Sequence, residues 1–411
     1  MENFDFEIIM ASITGEDKPG LTSTLAAIIA KYNAEILDIG QADIHNSLSL
    51  GIMFRADKRD SGNILKEMLF ASCELGVQVR FSPVAKDEYT GWVKKQGKNR
   101  YVVTLLGRHI SADLIADVAK VLADQNLNID SITRLTGRVP LQEDESMHGK
   151  TRACVEMSVR GTPKDKPLLH SEFMRLSQMR GYDISFQEDN LYRRNRRLIC
   201  FDMDSTLIQT EVIDELAMRA GVGDEVKAIT ESAMRGEIDF CESFKRRVSL
   251  LKGLDESVMK EIAENLPITE GVSRTLRILK QYGYKIAILS GGFTYFGNYL
   301  KQKFGIDYVY ANELEIDDNG KLTGNYVGDI VDGKRKAELL RLIAQIENLN
   351  LQQVIAVGDG ANDLPMLNLA GLGIAYHAKP KVKQNAKQSI SSIGIDGVLY
   401  MLGFKDSYIE K

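Results

Sequence analysis

Cysteine is scarce: Cys73, Cys154, Cys200 and Cys241 are the only four in 411 residues, dozens of positions apart and without paired spacing. That excludes a disulfide framework or zinc knuckle and points to reduced thiols in the cytoplasm. No apolar run approaches the roughly 20 residues that span a bilayer. The stretch Met1 to Phe6 carries acids rather than a basic region ahead of an apolar core, so neither a membrane nor an export signal is expected. Basic charge is in deficit: 52 Lys and Arg against 57 Asp and Glu leave a net charge of −5, a surface that repels a phosphate backbone, so nucleic acid is not an expected partner. Proline is rare at 8, glycine ordinary at 34, and the chain is 44% hydrophobic and 27% charged. Such a composition excludes disorder, collagen and a coiled coil as the main state. At about 100 to 200 residues per domain the length implies two to four domains.

The strongest punctuation is Arg193-Arg194-Asn195-Arg196-Arg197, read as a solvated linker at a domain junction. Before it the chain repeats one order of elements. Phe6 to Ile13 reads as a strand, Pro19 to Tyr32 as a helix, and Ile36 to His45 with Ser47 to Ala56 as a hairpin. A helix over Ser61 to Leu75 and a strand over Val77 to Val84 complete a βαββαβ unit. The second copy runs through Tyr101 to Gly107, Ser111 to Ala123, Asn128 to Leu135, Arg152 to Arg160, Leu168 to Met179 and Asp183 to Glu188. Its long polar loop, Thr136 to Lys150, reads as a surface excursion. The order implies two ferredoxin-like units. Beyond the junction stand short apolar runs, Leu198 to Phe201, Lys285 to Leu289, Val354 to Val357 and Leu372 to Ala375, separated by helical stretches. This is how a parallel sheet covered on both faces reads, and its ligands sit beyond the carboxyl ends of the strands. A purely helical insertion over Glu211 to Asn265 is a candidate cap.

The chemistry lies at those strand ends. Phe201-Asp202-Met203-Asp204-Ser205-Thr206 sets two carboxylates on one side of an extended chain, a pair held by a divalent metal, a shared proton or a basic partner, unless it merely caps the next helix. Gly358-Asp359-Gly360-Ala361-Asn362-Asp363 adds two acids and a carboxamide, a constellation that fits an oxygen-ligated cation such as Mg²⁺. Leu289-Ser290-Gly291-Gly292 offers a hydroxyl and close backbone amides to an anion, and Lys336 or Lys334 a positive charge. An acid nucleophile, a metal, an amide cradle and a lysine together specify phosphoryl transfer through an aspartyl phosphate.

In that order the four motifs resemble the haloacid-dehalogenase superfamily of phosphatases, over Leu198 to the C-terminus. Glu211, Phe240, Arg247 and the succeeding Val248-Ser-Leu-Leu-Lys-Gly resemble its phosphoserine phosphatase branch. On spacing alone Phe240, Phe244, Val248 and Leu251 form a core stripe with Arg247 beside it; with the motifs they read as a lid whose Arg247 and Glu211 suit the carboxylate and ammonium of an amino-acid phosphate. The resemblance implies Asp202 as nucleophile and Asp204 as general acid and base. It also implies Mg²⁺ on Asp202, the Asp204 carbonyl and Asp359, phosphoryl oxygens on Ser290, the Gly291 amide and Lys336, and Asn362 and Asp363 orienting ligands. The implied reaction is hydrolysis of O-phospho-L-serine to L-serine and phosphate, the last step of serine biosynthesis.

Gly15-Glu-Asp17-Lys-Pro19-Gly20-Leu21 places Pro19 in the first turn of a helix whose free amides attract an anion. The unit resembles an ACT domain, making Asp17 and Gly20 candidate contacts for an amino-acid effector such as L-serine. The second copy, with Gly107-Arg-His-Ile-Ser there, lacks the Asp and Pro, and both copies could instead serve only dimerisation. The expected fold class is α/β: ACT domains over 1–90 and 98–190, then a doubly wound parallel-sheet catalytic domain over 191–411 with a helical cap at about 209–270, in a homodimer. Rival readings are a phosphatase for another small phosphomonoester and a non-catalytic amino-acid sensor. Gly328 to Lys334 has Walker-like spacing, but Arg335 stands where Ser or Thr is needed. Asp317-Asp-Asn319-Gly320 reads as a hairpin turn rather than a calcium loop, and His45, His109, His148, His170 and His377 have no ligand spacing.

Overall fold

The computed structural model describes residues 5–95, 99–138 and 151–409, which fall into two compact units divided after residue 98. The first contains β1 (Phe6–Glu16), a helix Leu21–Lys31, β2 (Glu35–Ile44), β3 (Ser47–Asp57), a helix Lys58–Leu75 and β4 (Gln78–Val84). Its antiparallel sheet has the order β2-β3-β1-β4. Alternation in β1 puts Ile9, Ala11 and Ile13 in one core with Leu25 and Ile29 of the first helix and Ile64 and Met68 of the second. The first helix opens at Leu21 behind Gly20, whose φ of 96° is readily adopted only by glycine. Pro19 therefore precedes the helix cap and does not occupy the first turn that its spacing suggested. A further helix, Lys86–Lys95, succeeds β4.

The second unit opens with the same topology: β5 (Arg100–Gly107), a helix Ala112–Asp124, β6 (Asn128–Arg134), β7 (Ala153–Arg160), a helix Lys166–Arg180 and β8 (Asp183–Glu188), in the order β6-β7-β5-β8. The polar loop between β6 and β7 lies outside the described residues from position 139 onward, and His148 with it. Unlike β1, β5 is buried without a break from Tyr101 to Gly107. Val103 and Leu105 face the helices, while Leu106 and Cys154 enter a cluster with Tyr400 and Met401 near the end of the chain. A sheet covered on both faces reads as a continuous apolar run.

The basic junction is not a solvated linker. Arg193 is buried and pairs with Glu156 of β7 at 2.7 Å, and Arg196 is buried and donates to Gln187 of β8 at 3.1 Å. Burial and the neighbouring Arg193 charge lower the Arg196 guanidinium to about 10. Arg194, Asn195 and Arg197 do fit the expectation: they are exposed, with Arg194 paired with Asp189 at 3.0 Å. Arg193 and Arg196 thus anchor the chain that follows to the sheet of the second βαββαβ layer.

The parallel-sheet body holds β9 (Leu198–Phe201), β10 (Lys285–Phe293), β11 (Tyr308–Ile316), β12 (Leu322–Val327), β13 (Val354–Gly358), β14 (Leu372–Tyr376) and β15 (Gln388–Ile390). The order is β12-β11-β10-β9-β13-β14-β15, all parallel except the β11–β12 hairpin, whose turn contains Asp317 and Gly320. The chain leaves β9 toward β10 on one side and returns to β13 on the other, so a crevice opens at the carboxyl end of β9. Leu198 and Cys200 pack on Leu339, Leu340 and Ile343 of the helix Gly333–Ile346, whereas Ile199 and Phe201 pack on Leu276 and Leu279 of the helix Val272–Gln281. Helices Val212–Ala220, Gly223–Met234, Phe240–Ser249 and Ser257–Glu264 form the insertion after β9.

Candidate active site

Asp202 stands directly after β9, its amide donating to Val357 of β13 at 2.9 Å, so two strands fix it. Lys336 Nζ, fully buried, stands 2.9 Å from Asp202 Oδ1 and 2.7 Å from Asp363 Oδ1. The lysine is delivered by its helix, which Asp332 caps by accepting from the Arg335 amide at 2.8 Å. Lys334 is exposed, so of the two candidates only Lys336 reaches the acids. The amide of Gly360 donates to Asp363 Oδ2 at 3.0 Å, tying the turn after β13 together.

Asp202, Asp359 and Asp363 can bring one carboxylate oxygen each within 4.8 Å of one another. Burial first, then the charges of Asp202 and Asp363, push the Asp359 carboxyl up to about 8. Burial also raises Asp363, against the opposing pull of Lys336, which its two carboxylate partners hold firmly protonated. Three converging acids with one lysine between them are an excess of negative charge, and all the donors are hard oxygens. The set fits Mg²⁺.

Asp204 is buried and its Oδ1 has no hydrogen-bond partner among the described residues. Burial, then the charges of Glu211 and Asp202, hold its carboxyl well above the usual range, as suits a proton donor. Ser205, at φ 56°, turns the chain here, and its hydroxyl donates to Glu211 at 2.8 Å. Opposite, Ser290 Oγ accepts from the Gly292 amide at 2.9 Å.

A cavity of about 1130 Å³ opens above these groups, lined by Asp202, Asp204, Ser290, Gly291, Asp359 and Asn362 from the body. From the insertion come Glu211, Phe240 and Arg247. Phe244 and Val248 are core, as bare periodicity suggests, and Phe240 packs against them; Phe240, Phe244 and Arg247 also line the cavity. Burial lowers the Arg247 guanidinium and raises the Glu211 carboxyl, while the opposite charge of each pulls the other back toward its ionised form. Asp17 and Gly20 lie in the first unit, exposed, on the loop after β1. Sequence reading missed Asn312, buried at β11, which donates to the Gly291 carbonyl and accepts from the Val331 amide, both at 2.8 Å. A lone asparagine in a strand carries no signal of such a role. Asp214, whose carboxyl burial raises, was missed too, although it lies three residues beyond Glu211 on the cavity wall.

Residues 196–371 match the model of haloacid dehalogenase-like hydrolases, and residues 7–82 and 100–187 each match an ACT domain. A phosphoserine phosphatase of Streptomyces coelicolor is 36% identical over 407 residues, covering 99% of this chain and 94% of that protein. The chain belongs to the phosphoserine phosphatase family. Its likeness to phosphoserine phosphatase SerB2 of Mycobacterium tuberculosis is equally extensive, 36% over 409 residues and 94% of that relative. The unliganded crystal structure of a probable phosphoserine phosphatase from Vibrio cholerae, 35% identical, aligns with a TM-score of 0.58 over 75% of this chain and 87% of that one. The enzyme is thus a hydrolase of haloacid-dehalogenase type carrying two ACT domains. Among the described residues no helix is long and apolar enough to cross a membrane.

Proposed function

We propose that this enzyme hydrolyses O-phospho-L-serine to L-serine and phosphate through an aspartyl phosphate on Asp202, with Mg²⁺ as cofactor. The observation that carries the substrate assignment is the pair Glu211 and Arg247, opposite charges on the cavity wall facing the aspartate cluster. They suit the ammonium and carboxylate of a zwitterion whose phosphate reaches Asp202.

Asp202, held by Lys336, attacks phosphorus as the bond from phosphorus to the serine oxygen breaks. Asp204, kept protonated by its burial, gives its proton to that oxygen. It then takes a proton from water, which attacks the phosphorus of the aspartyl phosphate, releasing phosphate and restoring Asp202. The Ser290 hydroxyl, the Gly291 amide and Lys336 hold the phosphoryl oxygens, and Asn362 and Asp363 orient the groups around them. Mg²⁺ would be held by Asp202, Asp359 and the Asp204 carbonyl, and supplies charge neutralisation at the phosphoryl oxygens. Phe240 and Arg247 come from the insertion, so its closing over the substrate excludes bulk water. The first ACT domain takes an amino-acid effector such as L-serine at Asp17 and Gly20, in a homodimer.

Phosphate release with Mg²⁺ should be much faster from O-phospho-L-serine than from phosphothreonine or glycerol phosphates, and should stop with a chelator. Asp202→Asn should abolish it. Equal rates on all substrates would refute the substrate assignment, and full activity of Asp202→Asn the nucleophile.

A further inference from the structure

The insertion leaves and rejoins the catalytic body through a narrow neck. Ile208 on the way out bridges Ile268 on the way back, Gln209 donates to the Pro267 carbonyl at 2.8 Å, and Thr269 donates to the Leu207 carbonyl at 3.0 Å. A movement of the insertion relative to the body bends the chain here. It also strains or carries along the β11–β12 hairpin, where the Gly253 and Glu256 amides donate to the carbonyls of Leu322 and Gly320, both at 2.8 Å. The next residue, Glu270, is gripped from two sides. Its main-chain carbonyl accepts from the Ile395 amide at 2.9 Å, within the body. Its carboxylate accepts a two-pronged contact from Arg108 at 2.9 and 2.7 Å, and Arg108 belongs to the second ACT domain. Gly271, at φ 85°, then passes so close to Asp396 that a Cβ would lie 2.7 Å from its carboxylate. Asp396 is itself buried and bound by Arg152 of the same ACT domain and by Arg274.

Arg108 sits at a telling position. A Cβ on Gly15 would strike Val77, just before β4, and one on Gly107 would strike Tyr182, just before β8, so the two glycines are structurally equivalent. Arg108 therefore opens the loop that in the first domain carries Asp17 and Gly20. In the second copy that loop is used for a contact with the neck. Thr151 fixes its start by donating to the Arg108 carbonyl at 3.0 Å.

We infer that Arg108 is a positioning residue: through Glu270 it sets the neck of the insertion, and so couples the second ACT domain to closure over the active site. This rests on the reading of the insertion as a closing cap. The pair is half-exposed, so its effect is graded. Arg108→Ala should raise the KM for O-phospho-L-serine about twofold to fivefold, the range open to such a pair, with kcat little changed. Hydrolysis of p-nitrophenyl phosphate, which has no ammonium or carboxylate for the cap to engage, should be unaltered. Arg108→Ala/Glu270→Ala should be no worse than the worse single variant, since both remove one contact. Hydrogen exchange at Thr269 and its neighbours in the neck should quicken several-fold in Arg108→Ala. An unchanged KM, equal losses on both substrates, additive single variants or unchanged exchange would each overturn the coupling. A wild-type enzyme inactive on O-phospho-L-serine would instead overturn the substrate assignment, and neck exchange would still decide whether Arg108 sets the neck.

Discussion

Gly292 shows how little room single residues have in this site. Its φ is not in the left-handed region, so the constraint is space: a Cβ would lie 2.6 Å from Asp204 Oδ2, 2.8 Å from the Met203 methyl and 3.2 Å from Ser290 Oγ. None of these can retreat freely, because Met203 and Ser290 are fully buried and Asp204 is nearly so. Overpacking of this kind costs about 1 to 3 kcal/mol, and here it displaces Asp204, the proposed proton donor. Gly292→Ala should keep a cooperative unfolding transition with a slightly lowered Tm while kcat falls at least about 100-fold, the scale of a lost general acid. Calorimetry beside steady-state kinetics checks this. Loss of activity only in proportion to loss of folded protein would refute the steric argument.

At the scale of elements, the edge of β8 is sealed by a side chain rather than a strand. Gln388 of β15 donates to the Phe186 carbonyl at 2.9 Å and accepts from the Phe186 amide at 3.2 Å, copying the pattern of a paired backbone. Gln388→Ala leaves two buried backbone groups unpaired and should cost about 1 to 3 kcal/mol, lowering the Tm while the kcat of the remaining folded enzyme holds. A Tm within error of wild type would mean that water or a shift of β8 replaces the contact. Such devices mark the boundary of what the chain discloses locally. The runs Leu198 to Phe201 and Val354 to Val357 are legible because burial on both faces needs only apolar residues, and the polar tips after them mark the crevice. The placement of Arg193 is not, because its burial depends on Glu156, 37 residues away. Gln388 and Asn312 are silent for the same reason: their partners, Phe186, Gly291 and Val331, become neighbours only once the sheets have assembled. Pro19 misleads differently, since its fixed φ suits a first turn but equally the residue before a Gly20 cap.

Over the whole molecule the site links stability to metal and pH. The net charge of −5 is modest, but Asp202, Asp359 and Asp363 concentrate negative charge in one crevice with Lys336 as its buried counter-ion. The Asp359 carboxyl, held up to about 8 in the folded chain, stands well above its unfolded value of about 3.9. Between those values the folded state binds a proton that the unfolded state releases, so this stabilisation is complete below about pH 4 and is lost as pH rises through about 8. The metal-free enzyme should therefore have a lower Tm at pH 8 than at pH 5, and Asp359→Asn should flatten that slope. Mg²⁺, the proposed cofactor, would bind the ionised acids of the folded state and stabilise it by mass action. It must displace nearly a whole proton from Asp359 at pH 5 but only about half of one at pH 8, so saturating Mg²⁺ should raise the Tm more at the higher pH and narrow the gap. Thermal melts at both pH values, with chelator or with Mg²⁺, measure all four quantities. A metal-free Tm that rises from pH 5 to pH 8 by the same amount in wild type and Asp359→Asn would show that the acid cluster does not govern stability in this window.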